Sequence, residues 1–134
     1  MPVVDASVLV EYLTYGEHGE RVRERLRGEG HSLWTPHLID AEVGHALRRG
    51  ARQGKLSKAA AGEALWQLVE MPLRRVSHEL LVRYAWAMRD NLSFYDALYV
   101  ALAEMLGQPL LTLDARIARA SGVRAEVEVL AQAA

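Results

Sequence analysis

The chain has 134 residues, 51% of them hydrophobic and 25% charged, with a formal net charge of −1; that is one domain's worth of sequence, able to bury a sizeable core and unlike a disordered segment. It has no cysteine, which excludes a disulfide framework, a thiolate nucleophile and a cysteine-based zinc site. No apolar run approaches the roughly 20 residues that span a bilayer, and the chain opens on strand-like MPVVD rather than a charged and apolar leader, so a cytoplasmic protein is expected.

Short β-rich apolar runs alternate with longer helical patterns, which predicts an α/β fold with a central, mainly parallel sheet of about five strands. Strands are expected at 3–5, 32–35, 73–76, 110–112 and 127–130, and helices over roughly 6–14, 18–28, 37–53, 57–70, 78–90, 94–106 and 115–121. The punctuation agrees: Gly16, the Gly28 and Gly30 pair, Gly54 before a Ser57 cap, Pro72, Gly107 with Pro109, and Gly122. With no internal repeat or linker, residues 1–134 read as a single domain.

Along these elements, Asp5 directly follows the first strand and Asp114 lies two residues beyond LLT. Both project from the carboxyl-end rim, where open α/β sheets bind ligands, and each reads equally as a helix N-cap. Tyr12, Leu13 and Tyr15 end the first helix, beside the strand end that carries Asp5, and are expected to form an exposed apolar groove. Arg21, Arg23, Arg25 and Arg27, interleaved with Glu20, Glu24 and Glu29, read as a salt-bridged solvated face.

In the 37–53 helix, Ile39, Val43, Ala46, Leu47 and Gly50 make one face. Glu42 falls on its border, placed either to point over the sheet's rim or to pair on the surface with Arg49. The stretch from Arg48 to Lys58 holds five basic residues and no acid. Its Arg48, Arg49 and Arg52 suit the phosphates of RNA, although a solvated helix end explains them equally. Trp66 and Trp86 sit on core-like stripes. Ser93 to Asp96 fits a capping box that opens the 94–106 helix, whose nearly all-apolar sequence predicts burial. A carboxylate at the first turn of a buried helix needs compensation, from the helix dipole or from a cation.

Other site types fit poorly. Glu42 to His45 is a single Glu-x-x-His, whereas carboxylate-bridged di-iron bundles need two with two further helical Glu residues. His18, His31, His37 and His78 show no ligand spacing, and Walker A, G-x-G-x-x-G and G-x-S-x-G patterns are absent. An aspartyl-phosphate enzyme would carry a second Asp where Ser7 stands.

The segments VVDASVLVEYL, PHLIDAEVGHALRR, SFYDALYVALA and LLTLDARIARA, in that order and spacing, resemble the PIN-domain family, in particular its short VapC-type toxin members, over about residues 2–130. The resemblance implies a three-layer α/β/α sandwich and a Mg2+- or Mn2+-dependent endoribonuclease. Asp5, Glu42, Asp96 and Asp114 match the family's acidic positions, Ser7 its small polar position and Thr112 its hydroxyl residue, with Ser93 in support. Asp5 and Asp96 would hold the metal directly, Glu42 through water, and Asp114 a second ion or an outer position. Clustered carboxylates favour such a cation on their own chemistry. In-line attack by an activated water would leave a 5′-phosphate and a 3′-hydroxyl. The resemblance further implies a cognate VapB-type antitoxin docking in the Tyr12, Leu13, Tyr15 groove, and a homodimer. A non-catalytic RNA- or protein-binding module and a housekeeping RNA-processing nuclease are the alternatives; the complete acidic set favours the toxin nuclease.

Overall fold

The computed structural model describes residues 1–29 and 32–131; Gly30 of the expected turn and His31 lie outside them. Five strands, β1 (Val3–Val4), β2 (Trp34–Pro36), β3 (Arg74–Val76), β4 (Leu110–Thr112) and β5 (Val127–Val129), form one sheet in the order β3-β2-β1-β4-β5 with every pairing parallel. The central strands are continuous apolar runs, with Val3, Val4, Leu110 and Leu111 fully buried, as expected where helices cover both faces. The edge strands β3 and β5 are only partly buried.

Helices α1 (Ala6–Thr14), α2 (Gly19–Leu26), α3 (Leu38–Arg52) and α4 (Lys58–Glu70) pack together, while α5 (Val82–Ala87) packs on α6 (Phe94–Leu106), and α7 (Ala115–Arg119) lies on β5. α6 rests against β1, β2 and β4. Residues Ala97 to Ala103 of α6 are all buried, and the small side chains of Ala97, Ala101 and Ala103 take little room in that enclosed stretch. Gly107 ends it at φ 62°, a conformation that costs glycine nothing. The expected apolar face of α3 is buried through Ile39, Val43 and Leu47. The edge is tied in by Arg75 of β3, whose guanidinium forks onto Asp40 of α3 at 2.7 and 2.8 Å and reaches the Leu68 carbonyl of α4.

Two expectations fail. The helix expected over 78–90 is a 3₁₀ turn at His78–Leu80 followed by the short α5. His78 is held by accepting from the Leu38 amide at 2.9 Å, and beyond Ala87 the amides of Met88, Arg89 and Asn91 bond three residues back instead of four, which tightens and stops the helix. Trp66 and Trp86 are not core but 66% and 59% exposed. α4 buries Ala64 and Leu68, so Trp66 stands about 200° round from Ala64 at ~100° per residue; α5 buries Ala85, and Arg89 stacks over the outward Trp86 ring at 4.7 Å.

With Ala101 fully buried, Ala101→Leu should destabilise the protein by about 1–3 kcal/mol through overpacking. Ala118→Leu, on the exposed side of α7, should be near neutral in the same urea titration.

Candidate active site

The chain passes from β1 outward to β2 and β3, then crosses to β4 on the other side of β1. The switch point of the sheet therefore lies between the carboxyl ends of β1 and β4, which carry Asp5 and the Thr112 to Asp114 turn.

Asp5 is 7% exposed and caps α1 by accepting from the Val8 amide at 3.2 Å. The same Oδ1 accepts from the Ser7 hydroxyl at 2.6 Å, and Oδ2 from the Thr112 hydroxyl at 2.5 Å. Each hydroxyl also accepts an amide from the turn after β4: Ser7 from Leu113 and Thr112 from Asp114, both at 3.0 Å. The cap reading of Asp5 is thus correct and incomplete, because its carboxylate also fastens β1 to the β4–α7 turn. A carboxylate offers about four lone-pair sites; these bonds leave one free on Oδ2.

Glu42 of α3 and Asp96 of α6 are each partly buried. Ser93 caps α6, accepting from the Asp96 amide at 3.1 Å. Burial pushes the Asp5 carboxyl up to about 6 against the pull of its hydrogen bonds, with the Asp96 charge adding to the rise. Burial likewise raises Glu42 and Asp96; Glu42 is raised further by Asp96, and Asp96 by Asp114. The four acids so spread along the chain share one electrostatic neighbourhood.

Asp114 behaves differently. It caps α7 through the Arg116 amide and is forked by the Arg116 guanidinium at 3.0 and 2.8 Å. That bond to Arg116 holds its carboxyl below the usual range. Arg116 was not anticipated, although the Asp-Ala-Arg spacing across a helix start could have suggested it. Tyr99 was not singled out by the sequence either. It is 1% exposed, and its hydroxyl lies beside the Glu42 carboxylate, close enough to interact with it but outside good hydrogen-bond geometry. Its position three residues after Asp96, on the same helix face, was the available signal.

Among the described residues, no three carboxylate or imidazole groups converge closely enough to hold an ion by themselves. This still fits a magnesium-sized cation, which keeps several waters and takes one or two carboxylates; oxygen donors that are buried, mutually repelling and short of counter-charge suit it. Asp5 and Asp96 would supply direct oxygens and Glu42 an outer one, while Asp114 is committed to Arg116.

The remaining expected residues lie away from this cluster. Arg48, Arg49 and Arg52 are exposed on the last turns of α3, about 9–15 Å along the axis from Glu42 at 1.5 Å per residue. Arg49 is not paired with Glu42; it contacts His45 at 3.3 Å. Leu13 is 5% exposed and belongs to the core, so it lines no groove. Tyr12 is partly buried beneath Arg23, whose guanidinium also lies 3.8 Å over the Tyr15 ring. Tyr15 caps α1 at the end opposite Asp5, about 15 Å away, which corrects the expected placement beside that strand end. There it shares a groove with Arg49, Gly50 and Leu56.

The folded pKa of Asp5 lies above its ordinary value of 3.8. Its contribution to stability is therefore fully present below about pH 4 and lost as pH rises through about 6. Metal-free protein should gain on the order of 3 kcal/mol from Asp5 between pH 7 and pH 4, and Asp5→Asn should flatten this rise in urea unfolding with chelator present.

The PIN domain family model matches residues 3–123. Ribonuclease VapC1 of Mycobacterium tuberculosis is 43% identical over 129 residues, spanning 96% of this chain and 96% of that protein. The crystal structure of PAE2754 from Pyrobaculum aerophilum superposes with a TM-score of 0.67 at 27% identity, covering 95% of this chain and 82% of that one. VapBC2 from Rickettsia felis, solved bound to a DNA fragment from their promoter, gives a TM-score of 0.67 at 12% identity over 95% and 96% of the two chains, a likeness of fold. With its parallel sheet, its acids gathered at the switch point and these similarities, the chain belongs to the PIN-domain family.

Proposed function

We propose that this chain is a divalent-metal-dependent endoribonuclease of the VapC type, the toxin of a toxin–antitoxin pair, carried on a single PIN-like domain of residues 1–134. The observation that carries the reading is the Asp5 carboxylate, buried and hydrogen-bonded at the switch point near Asp96, which in turn neighbours Glu42. The 43% identity to a ribonuclease over nearly both full lengths supports RNA as the substrate.

Bound Mg2+ or Mn2+ would neutralise the carboxylates, polarise the scissile phosphate and strengthen a water as nucleophile. Asp5, kept in one orientation by Ser7, Thr112 and the Val8 amide, would supply an oxygen to that cation. Asp96 is aimed from the first turn of α6, where Ser93 fixes the backbone. Glu42 holds and orients water at the rim. Asp114 works through Arg116, setting a positive charge at the mouth of the cluster. No histidine base is needed for hydrolysis to a 5′-phosphate and a 3′-hydroxyl. Arg48, Arg49 and Arg52 extend a positive track for the RNA backbone, whose phosphates supply affinity while bases supply selection.

A VapB-type antitoxin restrains the enzyme by docking on the α1–α3 groove at Tyr15 and Arg49. Tyr15 is 75% exposed and, among the described residues, the non-glycine residue with positive φ, at 54°, a conformation costing about 1–2 kcal/mol in an L-residue. The exposed Val82 and Trp86, four residues apart on one face of α5, and the exposed Tyr95 at the start of α6, which packs on α5, offer apolar side chains suited to a second copy of the chain. Among the described residues no helix is long and apolar enough to cross a membrane, and the cytoplasm is the proposed compartment.

Mapping of new RNA 5′ ends after brief induction tests the chemistry. Wild type should generate 5′-phosphorylated ends; Asp5→Asn and Asp96→Asn should generate none, and Glu42→Gln about 10–100-fold fewer. Undiminished cleavage by Asp5→Asn would overturn the assignment. In sedimentation velocity the protein should run as a dimer at micromolar concentration and as a monomer after Trp86→Glu with Tyr95→Glu; a wild-type monomer throughout that range would refute the pairing surface.

A further inference from the structure

Tyr99 presents a problem that packing does not solve. Its ring is fully enclosed and phenylalanine would fill nearly the same space, yet it carries a hydroxyl with no partner at good hydrogen-bond geometry. Leaving such a group buried and unsatisfied is unfavourable, and fully apolar packing would remove the penalty. The other buried side-chain atoms without partners among the described residues are Arg23 Nε, in the guanidinium stacked on Tyr12 and Tyr15, and Trp34 Nε1, at the start of β2. Neither adjoins the acids. The Tyr99 hydroxyl does, with Glu42 nearest and Asp5 and Asp96 close enough to act on it electrostatically.

The four acids also differ in how firmly they are held. Asp5 has three hydrogen bonds, Asp114 is forked by Arg116, and Asp96 leans on Ser93. Glu42 has a long side chain and, among the described residues, Tyr99 as its hydrogen-bonding neighbour. A phenol is a donor at neutral pH and a carboxylate an acceptor, so the pair is matched in chemistry and left open in geometry.

We infer that Tyr99 is a positioning residue for the cation site, its hydroxyl reserved for Glu42 and closing onto that carboxylate when a hydrated divalent cation enters the cluster. The inference rests on the metal-dependent reading above and adds to it a residue that touches no substrate. The bond fixes which way Glu42 faces, and α6 transmits the constraint because Tyr99 and Asp96 share one turn. An outer partner of this kind acts on affinity through the group it orients.

The test uses Mn2+ as the probe, by titration calorimetry and by thermal unfolding with and without the ion, on wild type, Tyr99→Phe, Glu42→Gln and the double variant. Tyr99→Phe should unfold at or above the wild-type temperature without metal, yet bind Mn2+ about 10-fold or more weakly. In the Glu42→Gln background it should change Mn2+ affinity no further. Wild-type affinity in Tyr99→Phe overturns the inference alone. So does equal destabilisation with and without the ion, which marks a structural strut. A wild-type protein that takes up no Mn2+ sinks the metal-dependent reading as well, so the two failures are distinct.

Discussion

The carboxylate of Asp5, gripped by the hydroxyls of Ser7 and Thr112, is the contact on which the rest of the molecule turns. Each hydroxyl donates to the carboxylate and accepts an amide from the turn after β4, so one acid orders the strand it ends, the helix it caps and the loop across the crevice. Remove the carboxyl group and the hydroxyls lose their shared acceptor; remove a hydroxyl and a buried carboxylate loses one of its few compensations. The arrangement stiffens the switch point at the cost of a desolvated anion, and two more carboxylates nearby make that cost larger.

Such a cluster opposes folding unless something else answers the charge. The protein answers it at one corner, where Arg116 neutralises Asp114 from an 83% exposed position. An exposed ion pair of this kind contributes little to stability; its value is local, since it lowers Asp114 while leaving Asp5, Glu42 and Asp96 raised. Three acids short of counter-charge beside one that is satisfied is an uneven distribution, and it would draw a cation toward Asp5, Glu42 and Asp96 rather than toward Asp114.

Much of this was legible in the sequence because it depends on local pattern. Valine and leucine runs between helical periods specify parallel strands; the i, i+4, i+8 spacing of Ile39, Val43 and Leu47 specifies the buried face of α3; an acid immediately after an apolar strand specifies the rim. What escaped was tertiary. Trp66 and Trp86 lie among so many apolar neighbours that periodicity alone does not choose which stripe faces inward. The winding of Met88 to Asn91 into three-residue turns depends on how the chain must enter α6. Leu13 looked like surface because it sits between two tyrosines, but it is the position that faces the core. Tyr99 gains meaning only from the partner that the fold brings to it, whereas the pairing of Arg116 with Asp114 is local and was open to a reading of the spacing.

The separation of charge in α3 bears on how RNA would be handled. Its first half carries Glu42 into the acidic crevice and its last turns carry Arg48, Arg49 and Arg52 into solvent, so a polyanion is attracted at one end of the helix and repelled at the other. Long-range attraction to the arginines is screened within about 10 Å at ordinary salt, a length comparable to the helix segment between the two regions. The arginines therefore cannot offset the repulsion at the carboxylates, and the phosphate to be cut has to meet positive charge inside the crevice. Arg116 supplies part of that charge, but it is already engaged by Asp114. Under the proposed function a divalent cation would supply the remainder, making entry of the scissile phosphate contingent on the ion and leaving the outer arginines to hold the flanking backbone.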